Sequence, residues 1–553
     1  MVLGFAKLSK TIRTLGMTGL VAIALTACGS SSGGDAASTS SESTTIQNGT
    51  VSSTTKVSEL NVGDIYPVTF SEGNATIDFT DASSSSQYEL VVQSTNTSGG
   101  SSSVTLGDVS VEDFDSMAKA LDISTNEIST DVGDAFDTFL RFNEEDLAIN
   151  EVPVEGGSRG VGKSVAKTLS SVTTVGDQES FRVLASLTST TSYADITATV
   201  VCVTDHLVVA LDNNDGDIFT AQELQDLCTI SESSAAIDVA VLGDASDING
   251  DGRLTFLLTD RVNRLGGQGG GIVTGFFYAA DLYPRTGSNP VSNEQEIVFA
   301  LVPDPSGEYG SAISKSFALN NLLNAVLPHE IQHAISYNQH VLLRGGSPER
   351  TWLNEALSHN MECVTGYCQE NPSRVDLFLN ATATTSLVSG SSANLKQRGA
   401  SFLFIRFLYE QSSDGNAFLA RLVGTDKTEV DNIENAFAGT DSSFDQFEEF
   451  FMRWAVAVGM TNAGIISDSR YVFKDRTYNS TTSQWDGVCL QCIADDGRGT
   501  VLDGPSVSSF SGSSGVTLAP TGTAYYSLSA QSDPLTITGS SSANLQAVLI
   551  RTR

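Results

Sequence analysis

The sequence predicts an α+β fold, a mixed sheet with helices, flanked at both ends by small β-rich pieces, and three observations predict it. Between residues 166 and 490, apolar strand-like runs such as SYADITATVVCV and LTFLLTD alternate with long helical patterns such as KQRGASFLFIRFLYEQ. Residues 56–165 and 497–553 instead carry short alternating runs separated by Ser, Gly and Asn turns. The chain has 553 residues, enough for several domains and at least one large core.

Residues 1–28 begin with Lys7, Lys10 and Arg13, continue with an apolar stretch too short to cross a bilayer, and end in small residues before Cys28. This is the pattern of a secretory signal. Leu25-Thr26-Ala27-Cys28 resembles a bacterial lipobox, which implies a lipid on Cys28 and an exported protein held at the outer membrane or cell surface. Residues 29–55, almost wholly Ser, Thr and Gly, read as a disordered tether that cannot repay the entropy of ordering. Removing the signal takes three positive charges from a net charge of -35, leaving about -38. Such acidity excludes nucleic acid as a partner and leaves the lipid as the expected membrane contact. A monomer is expected.

In 56–165, the runs YPVTF, ATIDF and YELVVQS read as strands of a β-rich accessory piece, interrupted by helical patches near DSMAKALDI and DAFDTFLRF. In the middle region, SYADITATVVCV and HLVVALD read as neighbouring strands. Thr220-Ala221-Gln222-Glu223 is a capping box opening a helix. The run GGQGGG at 266–271 lacks a phosphate-loop ending and reads as a mobile rim loop before IVTGFFY, a candidate edge strand for pairing an extended peptide. In 497–553, GVTLAPTGTAYYSLSA, LTITG and LQAVLIRT read as a small terminal sandwich.

The stretch PHEIQHAISYNQH at 328–340 holds three of the chain's five histidines. His329 and His333, four apart on a helix, point to one side, and Glu330 stands beside them: the HExxH arrangement of two zinc ligands and a general base. Pro328 predicts a kink or a helix start at the motif. A catalytic zinc takes three protein ligands and keeps one position open. Ser336 and Gln339 stand where a metzincin has Gly and His, so that class is excluded. A following helix, ERTWLNEALSHNMEC, supplies Glu355 instead. Ser347 and Pro348 suit its start, and Glu349 suits its positive end. For His333 and Glu355 to meet, the first helix must end near Asn338. His340 then falls outside the metal spacing, as an ordinary polar residue beyond the helix.

Asn354-Glu355-Ala356-Leu357-Ser358 resembles the NExxS segment of thermolysin-like gluzincins, and HEIQHAISYNQHVLLRGG followed by TWLNEALSHNMEC resembles the hyicolysin-like family of zinc metallopeptidases. The resemblance runs from about residue 175 to RGASFLFIRFLYEQ and leaves out both flanking pieces. It implies a zincin, thermolysin-like catalytic domain with His329, His333 and Glu355 on zinc and Glu330 as catalyst. His359 stands where thermolysin-like enzymes have an orienting aspartate, either as a hydrogen-bond partner or as a packed helix residue. Glu362, one turn on, is an alternative orienter. No histidine follows His359, so the oxyanion donor must be another residue, with Arg398, Arg406 and Tyr409 as candidates.

Asp247-Ile248-Asn249-Gly250-Asp251-Gly252 has the spacing of a calcium loop, completed by Asp244 or another loop, but its twelfth position is Leu258, so it is no complete EF-hand; a plain turn is the rival. The stretch Asp212-Asn213-Asn214-Asp215-Gly216-Asp217 is a weaker match. After Cys28 the cysteines fall as sequence neighbours: Cys202 with Cys228, Cys363 with Cys368, Cys489 with Cys492. Adjacent disulfides are the preferred pairing of 15 that six cysteines allow. Cys489 and Cys492 lack the context of a redox or zinc pair. The expected activity is that of a lipid-anchored zinc endopeptidase acting on protein or peptide substrates. Its rival is a catalytically silent surface-binding or adhesin lipoprotein that uses the same domain as a scaffold.

Overall fold

The computed structural model describes residues 56–553 apart from 109, 113, 115–131, 152, 154–172, 391–392, 439–445, 462, 481–483 and 541–542. The signal, the tether and DSMAKALDI at 115–123 lie outside the described residues.

Strands β1 (Ile65–Val68), β2 (Asn74–Ile77), β3 (Gln87–Ser94) and β4 (Ser102–Gly107) come first, then helix α1 (Val132–Asn150). The middle begins with β5 (Gln178–Leu184), β6 (Tyr193–Val203), β7 (Leu207–Asp212), α2 (Ala221–Leu242), β8 (Leu254–Leu258), α3 (Asp260–Gly269), β9 (Gly275–Phe277) and β10 (Ile297–Ala300). Helices follow: α4 (Leu323–Tyr337), α5 (Thr351–Val364), α6 (Asn371–Leu379), α7 (Leu395–Gln411), α8 (Asn416–Val423), α9 (Glu429–Phe437) and α10 (Phe447–Met460). The remainder is β: hairpins of β11 (Thr477–Asn479) with β12 (Gln484–Asp486) and β13 (Gln491–Ile493) with β14 (Val501–Asp503), then β15 (Val507–Ser509), β16 (Ser513–Leu518), β17 (Thr523–Ser529), β18 (Leu535–Gly539) and β19 (Leu545–Arg551). The fold is mixed α+β.

The central sheet has the order β5-β6-β7-β8-β10-β9. β7, β8 and β10 run parallel, and β9 closes one edge antiparallel to β10. β7, β8 and β10 are buried at every residue, which is why LVVALD, LTFLL and IVFA are continuous apolar runs rather than alternating ones. The capping box opens α2: the Thr220 hydroxyl accepts from the Glu223 N–H at 3.2 Å and Glu223 Oε2 accepts from the Thr220 N–H at 2.7 Å. The disulfides join Cys202 to Cys228, Cys363 to Cys368 and Cys489 to Cys492.

Several local expectations change. The two flanking β pieces are not separate, because β1-β19-β3-β17-β15 form one sheet and β16-β4-β18-β2 the other, mixing strands from both. Their inner faces share one core, including Leu90, Val104, Leu106, Ile537 and Leu549. The run GGQGGG is not a loose rim: Gly266–Gly269 finish α3 and Gly270 caps it in the left-handed region at φ 74°. A Cβ on Gly267 would stand 2.1 Å from the Tyr309 carbonyl oxygen, so close backbone approach explains the glycine.

Around the HExxH stretch, α4 begins five residues before Pro328, after a π-helical turn at Ala318–Leu322, so the proline sits inside the helix rather than starting it. Every residue of α4 is buried. The helix packs against α2, α5, β9 and β10, which is how a helix without a polar face is accommodated. The α-helix stops at Tyr337 as expected, but the chain continues as a π-helical turn, Asn338–Leu342, so His340 is fully buried rather than beyond the helix. Nor does α5 start at Ser347 or Pro348; its first residue is Thr351. Glu349 is instead buried, accepting from the N–H groups of Arg350 at 2.7 Å and Glu429 at 2.8 Å.

Candidate metal centre

His333 lies about 6 Å from the end of α4, and Glu355, the fifth residue of α5, lies about 6 Å from its start. The short connection between the helices therefore brings the two side chains level. His329 Nε2 is 3.3 Å from Glu355 Oε2, and His333 Nε2 is 3.4 Å from Glu355 Oε1. Ligands 2.0–2.1 Å from a tetrahedral ion stand about 3.3–3.4 Å apart, so each histidine is at that distance from a Glu355 oxygen, though not from the same one. Glu355 is fully buried, and its Oε1 has no hydrogen-bond partner. A buried carboxylate oxygen without a hydrogen bond, facing an imidazole nitrogen, suits a cation.

Behind these donors, Glu362 Oε1 accepts from His329 Nδ1 at 2.8 Å and from His359 Nδ1 at 2.8 Å, while Asn371 Nδ2 donates to its Oε2 at 3.0 Å. Holding the Nδ1 proton leaves Nε2 of His329 as the free donor to an ion. The orienting role considered for His359 thus falls to Glu362, with His359 beside it. His359 is also drawn in: one nitrogen lies within 4.8 Å of ligand atoms of His329 and Glu355. With Nδ1 spent on Glu362, it offers only Nε2, whereas His329 and His333 each face a Glu355 oxygen directly.

Glu330 Oε2 accepts from the Phe277 N–H on β9 at 2.8 Å, so the candidate base touches the sheet edge. The outer side of β9 is met by α1. Arg141 donates from Nη2 to the Phe277 carbonyl at 2.6 Å, Glu144 Oε1 accepts from the Ala279 N–H at 3.0 Å, and the Phe136 ring packs edge-on against Phe276. Arg141 and Glu144 pair at 3.0 Å, both buried. Arg398 spans the same contact, with Nη1 2.6 Å from Glu355 Oε2, Nη2 2.8 Å from Asp137 and Nε 3.0 Å from Asp134.

Burial pushes the Glu330 carboxyl up to about 7, against the pull of His329. Burial and the charge of Arg141 bring His333 down to about 4. At His329, burial is outweighed by Glu355 and Glu362, which hold it up at about 10. Burial is likewise outweighed at Glu355, where Arg398 and His333 hold the carboxyl well below its usual range.

A cleft of about 320 Å³ opens on His329 and Glu330, lined also by Val273, Thr274, Gly275 and Arg398. Of the oxyanion candidates, only Arg398 reaches this centre. Arg406 instead pairs with Glu410 at 2.9 Å and lies over the Tyr409 ring, and Tyr409 donates to Asn416 at 3.0 Å. Side chains of the candidate calcium loop serve their own turn. Asp247 accepts from Gly252 N–H at 3.0 Å, Asn249 from Asp251 N–H at 3.1 Å and Asp251 from Arg253 N–H at 2.8 Å. Asp244 lends its carbonyl to Asn338 and Gln339 at 3.0 Å each.

Sequence reasoning missed Asp134, Asp137, Arg141 and Glu144. Their spacing of three, four and three places them within one wedge of α1, a stripe that reads as a solvated face unless its target is known. No family model matches this chain, and no curated protein matches it in sequence.

Proposed function

We propose that this chain is a zinc-dependent endopeptidase of the thermolysin-like, gluzincin type, with a zincin fold, similar to the hyicolysin-like metallopeptidases and exported as a lipoprotein anchored through Cys28. The observation that carries the reading is the convergence of His329 Nε2 and His333 Nε2 on the two oxygens of Glu355, beside Glu330. His329, His333 and Glu355 would hold the zinc. When bound, zinc supplies a Lewis acid that makes water acidic enough to lose a proton near neutral pH. The Glu330 carboxylate takes the proton from the attacking water and delivers it to the leaving amine. β9, beside Glu330, is the edge on which an extended protein or peptide substrate would pair. Because Arg141 and Glu144 occupy backbone groups at and beyond that strand, α1 must yield for a peptide to take the place.

That coverage favours the second reading, a silent binding lipoprotein with a metal-braced scaffold. Zinc quantification and casein hydrolysis by the chain from residue 29, wild type beside Glu330→Gln, separate the two. The protease reading expects one zinc in each protein, with hydrolysis by the wild type falling at least about 100-fold in the variant. One zinc in both with hydrolysis by neither establishes the binding reading, and absence of zinc from both sinks the metal centre.

A further inference from the structure

The parallel pairing of β7 with β8, in which Leu211 stands opposite Leu258, brings the segments after the two strands side by side. Asp212 ends β7, Asp215 lies in the 3-10 turn after it, and Asp260 opens α3. All three are buried, at 0, 1 and 3% exposure, and one carboxylate oxygen from each lies within 4.8 Å of the others. Asp212 Oδ1 accepts from the Asn214 N–H at 3.0 Å and its Oδ2 from the Thr259 hydroxyl at 2.8 Å. Asp215 Oδ2 accepts from the Asp260 N–H at 2.8 Å, and Arg264 donates to Asp260 Oδ2 from Nη2 at 2.7 Å. Two oxygens remain. Asp215 Oδ1 has no partner, and Asp260 Oδ1 faces Arg261 Nε at 3.6 Å, beyond hydrogen-bond reach.

We infer that Asp212, Asp215 and Asp260 hold a divalent calcium ion, separate from the histidine centre. The two guanidiniums do not account for the group. Arg261 and Arg264 are 32 and 45% exposed and both pair with Asp260, so among the described residues neither Asp212 nor Asp215 has a salt bridge of its own, and Arg264 acts on Asp215 only from a distance. A buried carboxylate oxygen with no partner is costly, and an ion removes that cost. An all-oxygen donor set with no imidazole or thiolate selects a hard cation, and Ca²⁺ fills its shell readily from carboxylates, backbone carbonyls and water. The stretch 212–217, read from the sequence as the weaker calcium loop, gains in the fold the distant carboxylate it lacked. The ion would join the end of β7 to the start of α3, whose last turn packs against Val273 at the entry to β9.

The test is equilibrium dialysis of ⁴⁵Ca²⁺ together with thermal melting against calcium, using the chain from residue 29. The expected result is one ion per chain, half-saturating between about 10⁻⁵ and 10⁻³ M, with a melting temperature that rises and saturates over the same range. Asp215→Asn is expected to lose both responses while melting at least as high as wild type in calcium-free buffer, because it removes an uncompensated buried charge. Asp247→Asn, in the other candidate loop, is expected to keep both. A wild type that neither binds nor responds up to 10 mM calcium overturns the inference, as does an Asp215→Asn variant that binds as wild type does. Loss of binding in Asp247→Asn with retention in Asp215→Asn moves the ion to the other loop and overturns it equally.

Discussion

A single oxygen of Glu362 holds the Nδ1 groups of two histidines, and this concentrates the tuning of the centre on one atom. Replacing it with an amide turns one acceptor of the pair into a donor and frees His329 to turn. Glu362→Gln is expected to lower metal affinity about 10- to 100-fold, read by competition with a chromogenic chelator, while Glu330→Gln leaves that affinity nearly unchanged. If the proposed function holds, the contrast separates a residue that orients a ligand from one that moves a proton. Gly267 sets a different limit, since its missing side chain is what lets α3 approach the Tyr309 carbonyl. Gly267→Ala is expected to cost about 1–3 kcal/mol, measured by urea unfolding. His329, His333 and Glu330 were legible in the sequence because helical periodicity alone puts them on one side. Glu355 was legible only through the resemblance and the order of the helices, since nothing local marks a carboxylate on a second helix as a ligand.

Helix α1 is the element that most changes the reading of the site. Its Phe136 packs on Phe276 and its charged stripe meets the sheet edge and Arg398, so the helix is held by packing and by ion pairs together. If the edge of β9 receives substrate, the double variant Arg141→Ala with Glu144→Ala should hydrolyse a quenched peptide faster than wild type at equal metal content. Slower hydrolysis would mean that α1 belongs to the working site rather than covering it. The sequence showed a helix here but not its destination, because a charged stripe has the same pattern whether it meets solvent or buried partners of opposite sign. Helix boundaries were missed for a related reason. Ser347 and Pro348 have the local chemistry of a helix start, but Glu349 is drawn into hydrogen bonds with Arg350, Glu429 and Asn432, and the helix begins only after it. Flanking runs such as YPVTF, ATIDF and YELVVQS were legible as strands, yet their pattern does not name a partner, so the joining of both flanking pieces into one sandwich was beyond reach.

At the scale of the whole molecule, the sandwich is docked on α10. Gln93 donates to the Phe451 carbonyl at 3.1 Å and the Tyr525 hydroxyl to the Ala455 carbonyl at 2.9 Å. Glu89 is caught in this interface, its Oε1 without a partner, and burial pushes its carboxyl up to about 8 from an ordinary value of 4.5. Between those values the folded protein keeps a proton that the unfolded chain releases, so stability is highest below about pH 4.5 on this account and declines as pH rises toward 8. Glu89→Gln should flatten that part of the stability profile, measured as denaturant midpoints at pH 5, 6, 7 and 8; an unchanged slope would mean the group is solvated. The arrangement of the sandwich also governs when it can form. β19 lies between β1 and β3, which precede it by more than 450 residues, so the strands synthesised first have no complete sheet to join until the last has been made. During that interval the early strands are unpaired edges, exposed to the wrong partner. A chain ending at residue 544 should leave β1 without its strand partner and as open to a probe protease as in the nascent protein, while β3 can still pair with β17.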